Sequence, residues 1–358
     1  MTWLREHACP SIRFRTLTEI LPPDATNEQE IASLREELRR YKAVTQTERK
    51  QRPTGLWASN ILGTGPSKSL GTKDVGTVAQ YRRLLELGVP ADHRSIQLAN
   101  RVFFRLLSRD EDPKLLFEFQ KPAKTNPDLR SFARDTLKEA VASALAHGGL
   151  ADDPRVRGAA NKIVNDLSQF LRSDLAVKPI ITKSLRHKLH PDAKPPTIHS
   201  VALLAYMPAY QRERASVIDR LMDFLSQPAP KKSYMIEFGK NTVKPTTQLL
   251  GDPLQNDSTG RPKDLPFALH WMELLARLNR LEASASAVRA LARFFKDCNN
   301  DGVWNPKNLR ALPKSPSGLA DFSFPLEIDA KKAETRRTDV TFRIALLAKI
   351  VGMELEFT

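Results

Sequence analysis

The feature that most constrains this chain is a recurring pair of apolar helical segments, joined through a residue that tolerates a left-handed turn. One copy runs Tyr81-Arg-Arg-Leu-Leu-Glu-Leu-Gly88-Val-Pro into a second segment ending Phe103-Phe104-Arg-Leu-Leu-Ser-Arg-Asp110. A shift of 191 positions lays Leu84, Leu87, Gly88, Phe103, Phe104 and Asp110 on Leu275, Leu278, Asn279, Phe294, Phe295 and Asp301. A shift of 60 gives a looser copy, with Gly148, Val156, Ile163 and Leu167 on Gly88, Ile96, Phe103 and Leu107. One such pair cannot bury its apolar faces alone, so recurrence predicts helix pairs stacked against each other. The expected class is all-α, built from helical hairpin repeats.

Apolar periodicity predicts helices at about 75–87, 93–108, 128–147, 155–172, 196–207, 211–226, 264–278, 284–298 and 336–351. Pro127 and Pro154 mark first turns, each beside an Asp, and Gly88, Gly148 and Gly352 mark left-handed ends. Residues 1–25 read as irregular and proline-interrupted, and 27–50 as one charged helix striped by Ile31, Leu34, Leu38 and Tyr41. Such a stripe suits packing on the body or pairing with a partner. Residues 51–73 read as loop, with Trp57 as its anchor. The organisation expected is an N-terminal segment, 1–73, and a helical-repeat domain, 74–358. Long loops interrupt that domain near 227–263 and 302–335. A short hairpin, Tyr234 to Phe238 with Thr242 and Val243, is the only strand signal.

The net charge is +15, spread as +2, +5, +5 and +3 over residues 1–60, 61–180, 181–240 and 241–358. A positive field favours anionic partners, yet nucleic-acid readers concentrate charge on one face, and no run of five like charges occurs. Two cysteines, Cys9 and Cys298, make neither a disulfide framework nor a cysteine zinc site. The N-terminus lacks a signal-peptide core, and no run of 18 apolar residues exists to span a membrane. A reduced, cytoplasmic location is the expectation.

The stretch Arg293-Phe294-Phe295-Lys-Asp297-Cys298-Asn-Asn-Asp301-Gly302-Val-Trp304 resembles the repeat of squalene cyclases and protein prenyltransferases. There a helix end runs into Gln, three residues, Gly, one residue and Trp. Gly302 and Trp304 match, and Cys298 stands in place of the Gln. The segment from Leu84 to Asp112 resembles a more degenerate copy, ending in Pro113. The resemblance covers about 74–172 and 264–351 and implies an α/α toroid, or failing closure a short superhelix.

The chemistry of those families meets obstacles here. Alkene-protonating cyclases use Asp-x-Asp-Asp, and Asp110-Glu-Asp112-Pro113 lacks the last carboxylate. Diphosphate-ionising cyclases use Asp-Asp-x-x-Asp, and Asp152-Asp153-Pro-Arg-Val fails at the end. Protein prenyltransferases hold zinc with spaced Asp and Cys and a distant His. Here Asp297 and Cys298 are adjacent, and the last histidine is His270.

His270, Glu273 and Arg277 lie three and four apart on an apolar helix and share a face. Either Glu273 orients His270 as a general base in a cavity, with Trp271 and Arg277 contacting ligand, or Glu273 and Arg277 form a surface pair. His199, Leu203 and Tyr206 share a face of the least charged helix, as catalysts or as satisfied core groups. Arg212 and Arg214, in a run that opens the next helix, suit anion recognition or a solvated face. Lys183, Arg186, His187, Lys188 and His190 form a basic loop without phosphate-cradling glycines. Gly63-Thr-Gly65-Pro-Ser-Lys68 has the wrong spacing for a phosphate loop. The run Asp297 to Gly302 starts like a calcium loop, but Asn308 replaces its bidentate Glu.

The first functional expectation is a non-catalytic binding or scaffold protein whose concave surface or cavity holds a protein segment or apolar small molecule. The second is a cavity enzyme acting on an isoprenoid-like substrate, with His199, Tyr206, His270 and Glu273 as candidate catalysts. The third is non-specific nucleic-acid binding through diffuse charge. No metal or cofactor motif is complete, so none is expected.

Overall fold

The computed structural model describes residues 2–57, 59–62, 76–108, 112–183, 186–307, 309–313, 324–328 and 330–353. Asp110, Asn308 and the Gly63 to Lys68 run lie outside them. The structure is predominantly helical, 59% helix against 8% strand, in keeping with the all-α expectation. Among the described residues no helix is long and apolar enough to cross a membrane.

Along the chain, α1 is Thr2–His7, α2 Pro10–Arg15, α3 Glu28–Arg40, α4 Lys42–Arg49, α5 Thr77–Glu86 and α6 Arg94–Ser108. They are followed by α7, Pro127–Leu145, α8, Pro154–Arg172, strands β1, Ile180–Lys183, and β2, Arg186–Leu189, then α9, Ile198–Ala205, α10, Pro208–Glu213, and α11, Ala215–Leu225. Strands β3, Ile236–Phe238, and β4, Asn241–Val243, precede α12, Leu265–Arg277, α13, Ala285–Lys296, and α14, Thr335–Ile350. The chain divides into two compact units: residues 1–51, 82–96 and 254–358 in the first, 52–81 and 97–253 in the second.

In the first unit α14 packs on α1, α2 and α12, while α3 packs on α2 and α4. Residues 1–25, expected to be irregular, hold α1, α2 and a wide turn over Thr16–Ile20. Pro10 starts α2 instead of breaking it, because the first helical position needs no N–H donor. The 27–50 segment breaks into two helices at Tyr41, whose backbone is extended and whose hydroxyl donates to the Leu326 carbonyl at 2.8 Å. Its Leu34 packs against Leu17 and Leu21, so the stripe faces this unit's own core.

Three helix ends in this unit share one hydrogen-bond pattern. The N–H groups of Val89, Arg280 and Met353 reach back five residues to Leu84, Leu275 and Ala348. The residue before each, Gly88, Asn279 and Gly352, has positive φ. This double-bonded cap satisfies carbonyls that a helix end otherwise strands.

A cluster of charges fills the interior of this unit. Arg15, 4% exposed, binds Glu19 at 2.6 Å and Glu86 at 2.8 Å. Arg343 stands 3.6 Å from Glu86, 3.9 Å from Glu273 and 3.8 Å from Asp339. Burial works against the Arg15 charge, but Glu19 and Glu86 more than compensate and hold its pKa above the ordinary value. Nearby, Glu327 accepts from the Cys9 N–H at 2.6 Å and Thr338 Oγ1 at 3.0 Å, and Asp339 accepts the N–H groups of Leu326 and Glu327.

In the second unit α7 and α8 pair, α9 lies across both, and α11 backs α8. Asn126 caps α7 and Asp153 caps α8, each followed directly by proline. The left-handed residue between them is Gly149, not Gly148. Gly148 is a glycine for space: a Cβ there would lie 2.3 Å from the Tyr81 hydroxyl. Trp57 is buried, its N–H bound to Thr77 Oγ1. The expected 211–226 helix is two, α10 and α11, hinged at Arg214.

The expected basic loop is a β-hairpin, Ile180 opposite Leu189 and Lys183 opposite Arg186. The predicted hairpin is present, with Ile236 opposite Val243. Leu189, Ala193 and Ile236 join Phe170 and Leu250 in a core cluster that fixes both hairpins to the α7–α8 pair.

Candidate binding cleft

Helices α7 and α8 present facing stripes to a cavity of about 700 Å³ in the second unit. On α7 the stripe is Asp128, Phe132, Asp135, Thr136 and Glu139, at spacings of three and four. On α8 it is Arg155, Gly158 or Ala159, Lys162 and Asp166. The third wall is the segment from His190 to Thr197, which turns over His190–Ala193, where the Ala193 N–H donates to the His190 carbonyl, and is then stiffened by Pro195 and Pro196. Hairpin β3–β4 completes it, anchored where Asn126 Nδ2 donates to the Phe238 carbonyl at 2.8 Å and where Phe132 and Phe238 meet at 5.0 Å. The volume falls within the range of sites for drug-sized ligands, about 300–1,000 Å³.

Apolar groups form much of the wall, including Leu107, Phe132, Ile163, Leu167 and Ile236. The charges on it do not balance. Asp128, Asp135, Glu139, Asp166, Asp192 and Glu237 supply six carboxylates, against Lys138, Arg155, Lys162 and Lys194. With His190 neutral the cleft carries −2 in a chain of +15. Lys162 pairs with Asp135 at 3.0 Å, Lys194 with Asp166 at 3.3 Å, and Arg155 with Asp153 at 2.8 Å.

Glu139 differs from the other carboxylates. It is partly buried and lines the cavity together with Thr197 and Ser200 at the amino end of α9, whose side chains favour its charged form. The same two residues form a capping box: Thr197 Oγ1 accepts from the Ser200 N–H, and Ser200 Oγ from the Thr197 N–H. The Ser200 hydroxyl in turn donates to the Thr197 carbonyl at 2.9 Å. Burial pushes the Glu139 carboxyl up to about 7; the two hydroxyls pull it down, and Asp135 and Asp166 push it further up. Among the described residues no cation stands within ion-pair distance of it. Burial and the nearby Lys162 lower the pKa of Lys138.

Of the residues singled out in the sequence, His190 of the basic loop and the repeat positions Leu107, Ile163 and Leu167 line this cleft, and none of the candidate catalytic or ligand-binding residues does. His199 lies in the first turn of α9, buried, its N–H bound to the Thr197 cap. Tyr206 follows that helix and stacks on His147 at 4.2 Å. Arg212 is exposed in the last turn of α10, where the helix dipole favours a cation, so it does not open a helix as expected. Arg214 sits over the Tyr210 ring and reaches Asn161 Oδ1 at 3.3 Å.

His270, Trp271, Glu273 and Arg277 belong to the first unit. His270 Nε2 lies 3.0 Å from Arg82 Nη2, and Trp271 is buried against Phe267. Glu273 binds Arg277 at 2.8 Å and is 4% exposed. Arg277 is 28% exposed on its side chain, so the pair runs from the buried charge cluster towards the surface.

At the calcium-like run, Asn299 Oδ1 accepts the N–H groups of Asp301 and Val303, which closes a turn with Gly302 at φ 72°. That oxygen faces backbone. Trp304 is buried, its N–H donated to Thr341. The sequence signal for the cleft was available in the two facing stripes of Asp, Lys, Arg and small residues on α7 and α8. Comparison with protein-family models, curated proteins and solved structures finds no match to this chain.

Proposed function

We propose that this chain is a binding protein whose α7–α8 cleft holds a mostly apolar ligand, a small molecule or a short protein segment. The observation that carries the reading is the cavity of about 700 Å³, walled by leucine, isoleucine and phenylalanine on capped helices and a proline-stiffened segment. Rigid walls reduce the ordering cost of binding. A diphosphate-bearing isoprenoid fits the cleft poorly, because six carboxylates oppose its charge.

The helix pairs are proposed as copies of one degenerate repeat of the α/α-toroid kind. Support comes from the identical caps at Gly88 and Asn279, which the 191-residue shift superimposes. An experimental map showing unrelated turn geometry at these two ends would remove that support.

Gly158 on α8 tests the cleft, since a side chain there meets nothing within 4 Å and projects from a lining position. Native mass spectrometry of protein purified from its own host is expected to show a bound molecule that Gly158→Trp lacks. A molecule retained in full by the variant, or none on either protein, counts against the reading.

A further inference from the structure

The cleft's walls are apolar, but its charge and one of its carboxylates specify more than an apolar occupant. Resting on the reading of the cleft as a binding site, we infer that its ligand is a small lipophilic amine, with its ammonium against Glu139 and its hydrocarbon body along Phe132, Ile163 and Leu167. Three observations carry this. The lining has two more carboxylates than cations in a chain whose overall charge is strongly positive, so the excess is local. Lys162, Lys194 and Arg155 are held by Asp135, Asp166 and Asp153. Glu139 lines the cavity, and among the described residues no cation stands within ion-pair distance of it.

An ionised carboxylate offers about four acceptor sites, and an ammonium supplies three N–H donors. In the cavity such a charge-assisted contact is stronger than at the surface. Asp135 and Asp166, on the two facing helices, lie close enough to raise the Glu139 carboxyl, so they also attract a cation placed there. Lys138 and Lys162 are the opposing charges on the same walls. Neutral lipids leave Glu139 unanswered, and anions meet like charge. Chemistry thus ranks the head groups as amine, then alcohol, then carboxylate.

Titration calorimetry with dodecylamine, dodecanol and dodecanoate at pH 7, each below its micellar concentration, reads that ranking. Dodecylamine is expected to bind at least tenfold tighter than dodecanol, and dodecanoate most weakly. E139Q should cost the amine about tenfold and leave dodecanol unchanged. If E139Q fails to fold, D166N on the facing wall applies the same test, with a threefold or greater loss for the amine alone. Equal affinities for amine and alcohol, or a variant that weakens both alike, overturn the amine assignment and leave the cleft reading standing. Failure of all three probes to bind overturns both.

Discussion

Glu139 stands where a lysine, leucine or glutamine could have completed the α7 stripe with less electrostatic cost. A carboxyl pushed up to about 7 is one that folding has made harder to ionise than in the open chain, where it titrates near 4.5. The stability linked to it is therefore complete below pH 4.5 and declines as pH rises through 7, because the folded state must then carry an ill-solvated charge. E139Q keeps the size of the side chain and one acceptor oxygen and removes that charge. It is expected to melt higher than the parent at pH 8, by about 1–3 kcal/mol of stability, with the advantage shrinking towards pH 5. Thermal melts of both proteins at the two pH values measure it, and a pH-independent difference would refute the linkage. A residue that costs stability and lines a cavity is a common mark of a site kept for binding. The charge cluster around Arg15 and Glu86 follows another logic. Its charges compensate each other inside a packed interior, and there the net contribution to stability is small while removal of one member is costly.

At the scale of the element, the three helix ends at Gly88, Asn279 and Gly352 carry the same cap with different residues. Asn279, at φ 54°, adopts the left-handed region at some cost, which glycine would not incur. Gly88, at φ 87°, also faces the Phe14 ring, 2.9 Å from where a Cβ would sit. Asn279→Gly is expected to change stability by no more than about 0.5 kcal/mol, while Gly88→Ala loses about 1–3 kcal/mol, both read by denaturant unfolding. Equal effects at both positions would mean that the caps are not equivalent in energy. These caps, and the proline starts of α7 and α8, were legible because local chemistry sets them: an αL residue or a ring without N–H leaves a mark in a few letters. What was not legible depends on packing. Pro10 reads as a breaker until Ile12, Ile20 and Leu34 show a core for α2 to cover. Four residues of β1 carry too little alternation to separate strand from loop. Gly148 and Gly149 cannot be told apart without Tyr81 beside one of them. The candidate site was missed for a related reason. His, Tyr and Trp attract attention as chemical residues, yet His270 and Trp271 are buried core here. The cleft is assembled from Asp, Glu and Lys, which in sequence look like an ordinary solvated helix face.

At the scale of the whole molecule the question is what a net charge of +15 does. Some of its arginines never meet solvent: Arg15 and Arg343 are 4% and 5% exposed and act on carboxylates within the first unit. Others are spent in surface pairs, such as Arg157 with Glu213 and Arg5 with Glu30. The cleft inverts the sign locally. The field that remains is diffuse, and diffuse charge touches few phosphates at once. Counterion release makes the affinity for duplex DNA fall with salt at a log–log slope of about 0.9 per phosphate neutralised. For three phosphates, a rise from about 50 to 200 mM salt weakens binding about 40-fold; for six or more, about a thousandfold or greater. The smaller fall is expected here, with no preference among duplex sequences and the same slope for E139Q, measured by fluorescence anisotropy on labelled duplexes. A thousandfold fall would reveal a concentrated basic face and move nucleic acid from the margin of this protein's chemistry to its centre. Dependence of that slope on Glu139 would tie the phosphates to the cleft, where six carboxylates give them the least reason to be.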